Sequence, residues 1–165
     1  AQKNLVEQLQ THTVSREYSA IVYGHMISGG SVDEPIGRDS RDRIKQAVTE
    51  SGKDALTHYR VIDRFAHHTH VKAILETGRT HQIRVHLSHI GYPLIGDPMY
   101  GGKIRFPKKA HAALKDALKD FKRQALHAKK LTIVHPISGE AMSWKAPLPD
   151  DMVALLAVLS EFDAV

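Results

Sequence analysis

Apolar residues recur along the chain with two different periods, and the places where the period changes divide it into elements. Leu5 and Val6 within a polar opening predict a short helix over Asn4 to Gln10, and "EYSAIVYG" alternates in the manner of a half-buried strand. "ISGGSVDEPIG" reads as a hairpin-like turn, with Gly29 and Gly30 expected at positive φ and Pro35 confining its neighbourhood to an edge or a loop. A polar loop, "GRDSRDR", and the short "IKQAV" lead to two long strand candidates, "ALTHYRVIDRF" and "HTHVKAILET". They join near residues 66–68, which makes a meander.

From Gly78 the period lengthens. Ile83, Leu87 and Ile90 stand at helical spacing, with Thr80 expected to cap the first turn, so a helix begins inside "TGRTHQIRVH". "IGYPLIGDPMYGG" is a loop by its Gly and Pro content. In "KIRFPKKAHAALKDALKDFKRQ", Leu114, Leu118 and Phe121 share one helical face. Strands at "AKKLTIVHP" and "AMSWKAP" follow, and "PDDMVALLAVLSEF" closes the chain as a helix with acidic residues in its first turn. Strands and helices mix without regular βαβ alternation, so the expected fold is α+β with a largely antiparallel sheet.

Composition narrows the class. With 165 residues, 42% hydrophobic and 25% charged, the chain is expected to form one globular domain with a real core. The absence of cysteine excludes disulfides and Cys-based zinc sites. No apolar run approaches the roughly 20 residues that span a bilayer, and "AQKNLVEQLQ" lacks the apolar core of a signal peptide. A cytoplasmic protein with no membrane partner is expected.

Charge adds a partner. Of the net +5, residues 101–130 carry ten Lys or Arg and two Asp, a local +8, so the remainder sums to −3. This concentration points to a polyanion, with Lys103, Arg105, Lys108, Lys109, Lys122 and Arg123 as contacts and Phe106 as a stacking residue. A merely solvated amphipathic helix is the other reading.

On the helix that starts near Thr80, residues Thr80, His81, Arg84 and Ser88 share one side. A half-buried Arg84 requires an anion, because guanidinium cannot shed its charge. Either an internal ion pair with an acid such as Asp97 or a functional anion satisfies it. The helix start, with Arg79 beside it, also suits a phosphate. The histidines of "HHTH" and of the helix raise a metal hydrolase, but the i, i+4 pair of a zinc helix is missing; hydrogen-bonded histidines and no metal are expected. G-x-S-x-G, P-loop and dinucleotide fingerprints do not occur.

Three stretches in order, "SREYSAIVYGHM", "LETGRTHQIRVHLSHIGYPLIGDPMYGG" and "RQALHAKKLTIVHPISGEAMSWKAPLP", resemble the pseudouridine synthases that modify ribosomal large-subunit RNA. The resemblance runs from about Asn4 to the end. It implies an α+β catalytic domain on a mixed, mostly antiparallel sheet, no cofactor, no metal, and isomerisation of uridine in large-subunit RNA to its C-glycoside. In this family an aspartate attacks the uridine, and the detached base rotates and rejoins through carbon. The resemblance implies that Arg84 pairs with that aspartate, keeping it ionised and aimed. It also implies that Tyr18 lies against the target base and handles the proton at carbon five. The uridine must leave its stack, so Arg79, His81 and the basic segment are expected to hold the surrounding RNA.

One motif is missing. The family's nucleophile sits in "RLD" followed shortly by threonine, serine and glycine, and this sequence has no "RLD"; Asp33, Asp39, Asp42 and Asp63 have other neighbours. Residues 1–165 are therefore expected to be the C-terminal portion of a synthase catalytic domain, without the nucleophile-bearing segment or an N-terminal RNA-binding domain. Such a piece is expected to be inactive alone and to self-associate through open sheet edges. A non-catalytic RNA-binding module of the same fold is the alternative.

Overall fold

The computed structural model describes residues 2–10 and 14–165. Helix α1 (Gln2–Gln10) precedes strand β1 (Ser15–Tyr23), whose alternation decides the architecture. Ala20 and Val22 face one side of the sheet, and Ile21 and Tyr23 the other. β1 is an inner strand, buried on both sides, which is why "AIVY" carries no polar residue.

Strands β2 (Gly30–Asp33), β3 (Ile36–Arg38), β4 (Gln46–Val48), β5 (Leu56–Arg64) and β6 (His68–Leu75) follow. After helices α2 (Gln82–His89) and α3 (Ala112–Asp120) come β7 (Leu126–Val134), β8 (Ala141–Lys145) and helix α4 (Asp150–Phe162). Six strands form one sheet in the order β2-β5-β6-β1-β7-β8, while β3 and β4 pair as a separate ribbon. Every pairing is antiparallel. The α+β class read from the sequence is the observed one, and the β5–β6 meander stands where it was expected.

Two layers of apolar side chains flank the sheet. On the Ala20–Val22 side, Val71, Ala73 and Leu75 of β6 pack with Ile83 and Leu87 of α2. Opposite them, Ile21 and Tyr23 meet Leu114 and Leu118 of α3 and Met152, Leu155 and Leu159 of α4. A third cluster seats the ribbon on α2, with Ile36 and Val48 against Val85 and Tyr100.

Two local expectations fail. Gly29 and Gly30 do not take positive φ; "GSVD" is a strand paired to β5 rather than a turn, and Gly29 is needed because a Cβ there would lie 2.5 Å from the Tyr59 carbonyl oxygen. Nor does Thr80 cap α2. His81 holds the N-cap position in the left-handed region (φ 56°), without a side-chain capping bond. Gln82 closes the helix start instead: its Oε1 accepts from Thr77 Oγ1 (2.7 Å) and Arg79 N–H (3.0 Å). Its amide donates to Leu56 O (3.0 Å) and Thr57 Oγ1 (2.9 Å).

Candidate active site

Arg84 sits in the first turn of α2 and is 9% exposed. Its Nε and Nη2 donate to the two carboxylate oxygens of Asp97, each at 2.9 Å. The internal ion pair with Asp97, one of the two anions open to Arg84 on sequence grounds, is thus formed. The same carboxylate accepts the N–H groups of Met99 (2.9 Å) and Tyr100 (3.0 Å), so the "GDPMYGG" loop folds around it. Burial alone would raise the Asp97 pKa, but the Arg84 bonds and the two backbone donors outweigh it and hold the group below its usual value. Arg84 is raised, chiefly by its bond to Asp97. Nη1 carries no hydrogen bond among the described residues.

Tyr100 is the hub of this side. Its ring lies 5.0 Å under the Arg84 guanidinium, and its hydroxyl accepts Gln46 N–H at 2.8 Å. His81 Nδ1 lies 2.8 Å from the same hydroxyl. Burial and the nearby Arg84 lower the His81 pKa, so the ring is neutral and its Nδ1 accepts a hydrogen bond from the hydroxyl. Left-handed backbone at a non-glycine residue costs roughly 1–2 kcal/mol, and this bond is what secures it. Ser88 donates to Tyr100 O at 3.3 Å, so His81, Arg84 and Ser88 share one helix side, as their spacing predicts.

Tyr18 lies on β1 and packs partly buried against the cluster that contains Ile83 and Leu87 of α2. The structure therefore brings Tyr18 and the Arg84 helix to one face of the sheet. Tyr18 lines a pocket of 320 Å³ with Arg16, Lys130, Leu131, Trp144 and their neighbours on β7. A register shift between Glu17 and Tyr18 leaves Lys129 unpaired in the β1–β7 ladder. That bulge re-aims the strand, so four successive residues, Ala128 to Leu131, all reach the pocket.

Arg16 shares Tyr18's face of the strand and reaches "TGR". A Cβ at Gly78 would meet its guanidinium, the far end of a side chain that can shift. Arg16 Nε is buried without a hydrogen-bond partner among the described residues. Arg16, Tyr100, Lys130, Leu131 and Trp144 escaped the sequence reading. The i, i+2 spacing of Arg16 and Tyr18 carried a signal for the first; the rest depend on a bulge and a loop closure that no local pattern encodes.

The basic residues are more dispersed. Lys103, Lys108, Lys109 and Lys122 are exposed. Arg105 rests 5.5 Å from the centre of the Tyr23 ring, Lys119 lies 5.7 Å from that of Phe106, and Arg123 is paired at two points with Asp151 (2.7 and 2.8 Å). Helix α3 packs on the sheet face opposite α2. Arg79 stays beside α2, its Nε donating to Asp54 O at 2.8 Å.

The inner histidines have protein partners. His86 gives Nε2–H to Glu34 O (2.8 Å), which leaves Nδ1 to accept from Thr57 Oγ1 (2.8 Å). His68 bonds Asp163 at 2.8 Å. Ser19, His70 and Asp63 form a triad-like chain, but Ser19 is 0% exposed and out of reach of any substrate. Among the described residues no group of three or more His, Asp or Glu could hold a metal ion. No described helix is long and apolar enough to cross a membrane.

The profile of the RNA pseudouridylate synthase family matches residues 1–89, more than half of the chain, and the chain belongs to that family. It is 55% identical over 161 residues to ribosomal large subunit pseudouridine synthase D of Pseudomonas aeruginosa, covering 98% of this chain and 50% of that protein. The synthase D of Escherichia coli is 54% identical over 159 residues, 96% of this chain and 49% of that protein. The chain thus spans about half the length of these curated relatives. Among solved structures, human RNA pseudouridylate synthase domain containing 4 aligns with a TM-score of 0.73 and 26% identity, over 96% of this chain and 67% of that one. Human RNA pseudouridylate synthase domain containing 1 shares the fold, with a TM-score of 0.68 over 97% of this chain and 71% of that one.

Proposed function

We propose that this chain is the Arg84- and Tyr18-bearing part of a catalytic domain that converts specific uridines of large-subunit ribosomal RNA to pseudouridine. The observation that carries the reading is Arg84, fixed at two points by Asp97 with Nη1 left over. A guanidinium held this way can present its remaining edge to a second carboxylate without moving. The nucleophilic aspartate belongs to an "RLD" segment outside residues 1–165, which is where the length of the relatives leaves room for it.

The reaction breaks the N1–C1′ bond, turns the base, and forms the C5–C1′ bond; carbon five loses a proton and N1 gains one. It is redox-neutral and uses a side-chain nucleophile, so it needs neither cofactor nor metal. Arg84 holds the attacking carboxylate ionised and aimed. Tyr18 lies against the base and handles the carbon-five proton. The pocket joins apolar Leu131 and Trp144 to Arg16 and Lys130, a lining suited to an extruded base and its phosphates. Arg79, His81, Lys103, Arg105, Lys108, Lys109, Lys122 and Arg123 are the proposed RNA contacts, and the work is cytoplasmic, where ribosomes are made. Because α3 packs on the far face, the basic residues of the segments that flank it serve RNA that wraps around the domain.

Base-resolution pseudouridine mapping tests this on a large-subunit RNA transcript, treated with this chain and with a version extended through the "RLD" segment. Product is expected from the extended protein alone, and Arg84→Ala or Tyr18→Phe in it should abolish product. Modification by the short chain would move the nucleophile to an aspartate within it. RNA binding without modification by either would leave the non-catalytic module.

A further inference from the structure

A cleft of 490 Å³ opens between the β3–β4 ribbon, the loop after it and the turn into α2. Arg38, Lys53 and Arg79 line it, with the hydroxyls of Ser51 and Thr80, and no carboxylate does. Arg79 is steadied through Nε by Asp54 O, which leaves the rest of its guanidinium unassigned. None of the three cations forms an ion pair among the described residues.

Three uncompensated cations around one concavity repel one another and concentrate a positive potential there. An anion relieves that repulsion. Arginine forks and hydroxyl donors suit phosphate oxygens in particular. The volume lies within the roughly 300–1,000 Å³ of small-ligand sites, room for a nucleotide rather than a bare ion.

Position makes the occupant RNA. Gly78, Arg79 and Thr80 line the cleft, and the next residues carry His81 and Arg84. The ribbon rests on Val85 and Tyr100, and its Gln46 N–H bonds the hydroxyl of the tyrosine that lies under Arg84. We infer that the cleft between the ribbon and α2 grips a backbone phosphate of the substrate RNA, separately from the basic segment on the opposite face. This rests on the RNA reading above and adds Arg38 and Lys53 to its contacts.

The test titrates this chain with a large-subunit RNA transcript over a series of salt concentrations. Arg38→Gln/Lys53→Gln should weaken binding about tenfold at low salt and flatten the log–log salt slope by about one to two, the signature of lost phosphate contacts. Ser51→Asp, a carboxylate placed in the cleft, should weaken binding as well. Both sets of positions are exposed, so thermal melts should not change. Lys108→Gln/Lys109→Gln serves as the comparison on the basic segment. Unchanged affinity and slope in the Arg38/Lys53 variant, with loss in the Lys108/Lys109 variant, would overturn the cleft and keep the RNA reading. Failure of the unaltered chain to bind RNA would overturn both.

Discussion

The two flanks of Tyr18 are finished to different degrees. Toward α2, Gln82, Arg84, His86 and Asp97 are all buried, and each is held by hydrogen bonds to named partners. Toward β8, all five strand residues are exposed, and Leu131, Met142 and Trp144 show 39%, 37% and 48% of their surface. Tyr18 stands between, packed against the α2 cluster on one side and lining the pocket of β7 and β8 on the other. The difference separates the side that this chain orients through its own hydrogen bonds from the side that it leaves exposed. The completed side should answer mutation with lost stability, and the open side with changed association.

Arg84→Met should give the largest effect. It leaves the Asp97 carboxylate, whose side chain is 0% exposed, buried without its counter-charge. Breaking a buried pair in this way costs about 3–5 kcal/mol, readable as a shift of the urea midpoint. Arg84→Lys keeps a charge but loses the two-point fork and should fall between. Arg84→Met/Asp97→Leu removes both charges and should recover much of the loss; additive losses would mean that the pair is not the origin of the cost.

Acid should act next, through the histidines. Burial is the leading cause that lowers His68, His70 and His86 below 6.5, against the raising effect of Asp163, Asp63 and Glu34 respectively. Each stays neutral in the fold at a pH where the unfolded chain already binds its proton. Their stabilisation is therefore complete above about pH 6.5 and is lost as the pH falls toward the lowered folded values. The slope is about 1.4 kcal/mol per pH unit for every proton taken up on unfolding. Denaturation midpoints measured from about pH 7.5 down to 5.5 should decline, and His86→Gln should flatten the decline. A constant midpoint would show that these rings do not titrate on unfolding. Asp97, lowered in the fold, adds its own loss only further down, below its ordinary value of 3.8.

The completed flank was also the more legible one. Periodicity carried α2, α3 and α4, because each has one apolar face and the sequence repeats with it, whereas β1, expected half-buried, is buried on both sides because it is an inner strand between two cores. Arg84 and Asp97 lie 13 residues apart across a loop, close enough for their pairing to be weighed in advance. Thr80 misled because a threonine ahead of an apolar period usually caps; here Gln82 reaches back into Thr57 and Leu56 of β5, a tertiary contact that overrides local preference. "ISGGSVD" misled because two glycines look like a turn, whereas Gly29 serves close approach to β5. The open flank was illegible for a different reason. Trp144, Leu131 and Tyr18 converge through β1, β7 and β8, and Arg38 and Lys53 through a ribbon; strand order and bulges set both, and neither has a local signature.

The smallest effect on stability should come from the open flank. Trp144→Ser or Met142→Ser alters a strand whose side chains already meet water, so little burial is lost and the urea midpoint should move by no more than about 0.5 kcal/mol. Association is where they should register. β8 is an edge strand with unpaired backbone groups and an apolar strip, the combination that recruits another strand. We expect the unaltered chain to self-associate at high concentration and Trp144→Ser/Met142→Ser to shift its sedimentation toward monomer. Extension through the "RLD" segment should suppress the association without any mutation, since the added chain would occupy the same flank. If the extended protein still associates and Trp144→Ser/Met142→Ser still disperses it, this edge faces a second copy rather than the segment proposed to carry the nucleophile.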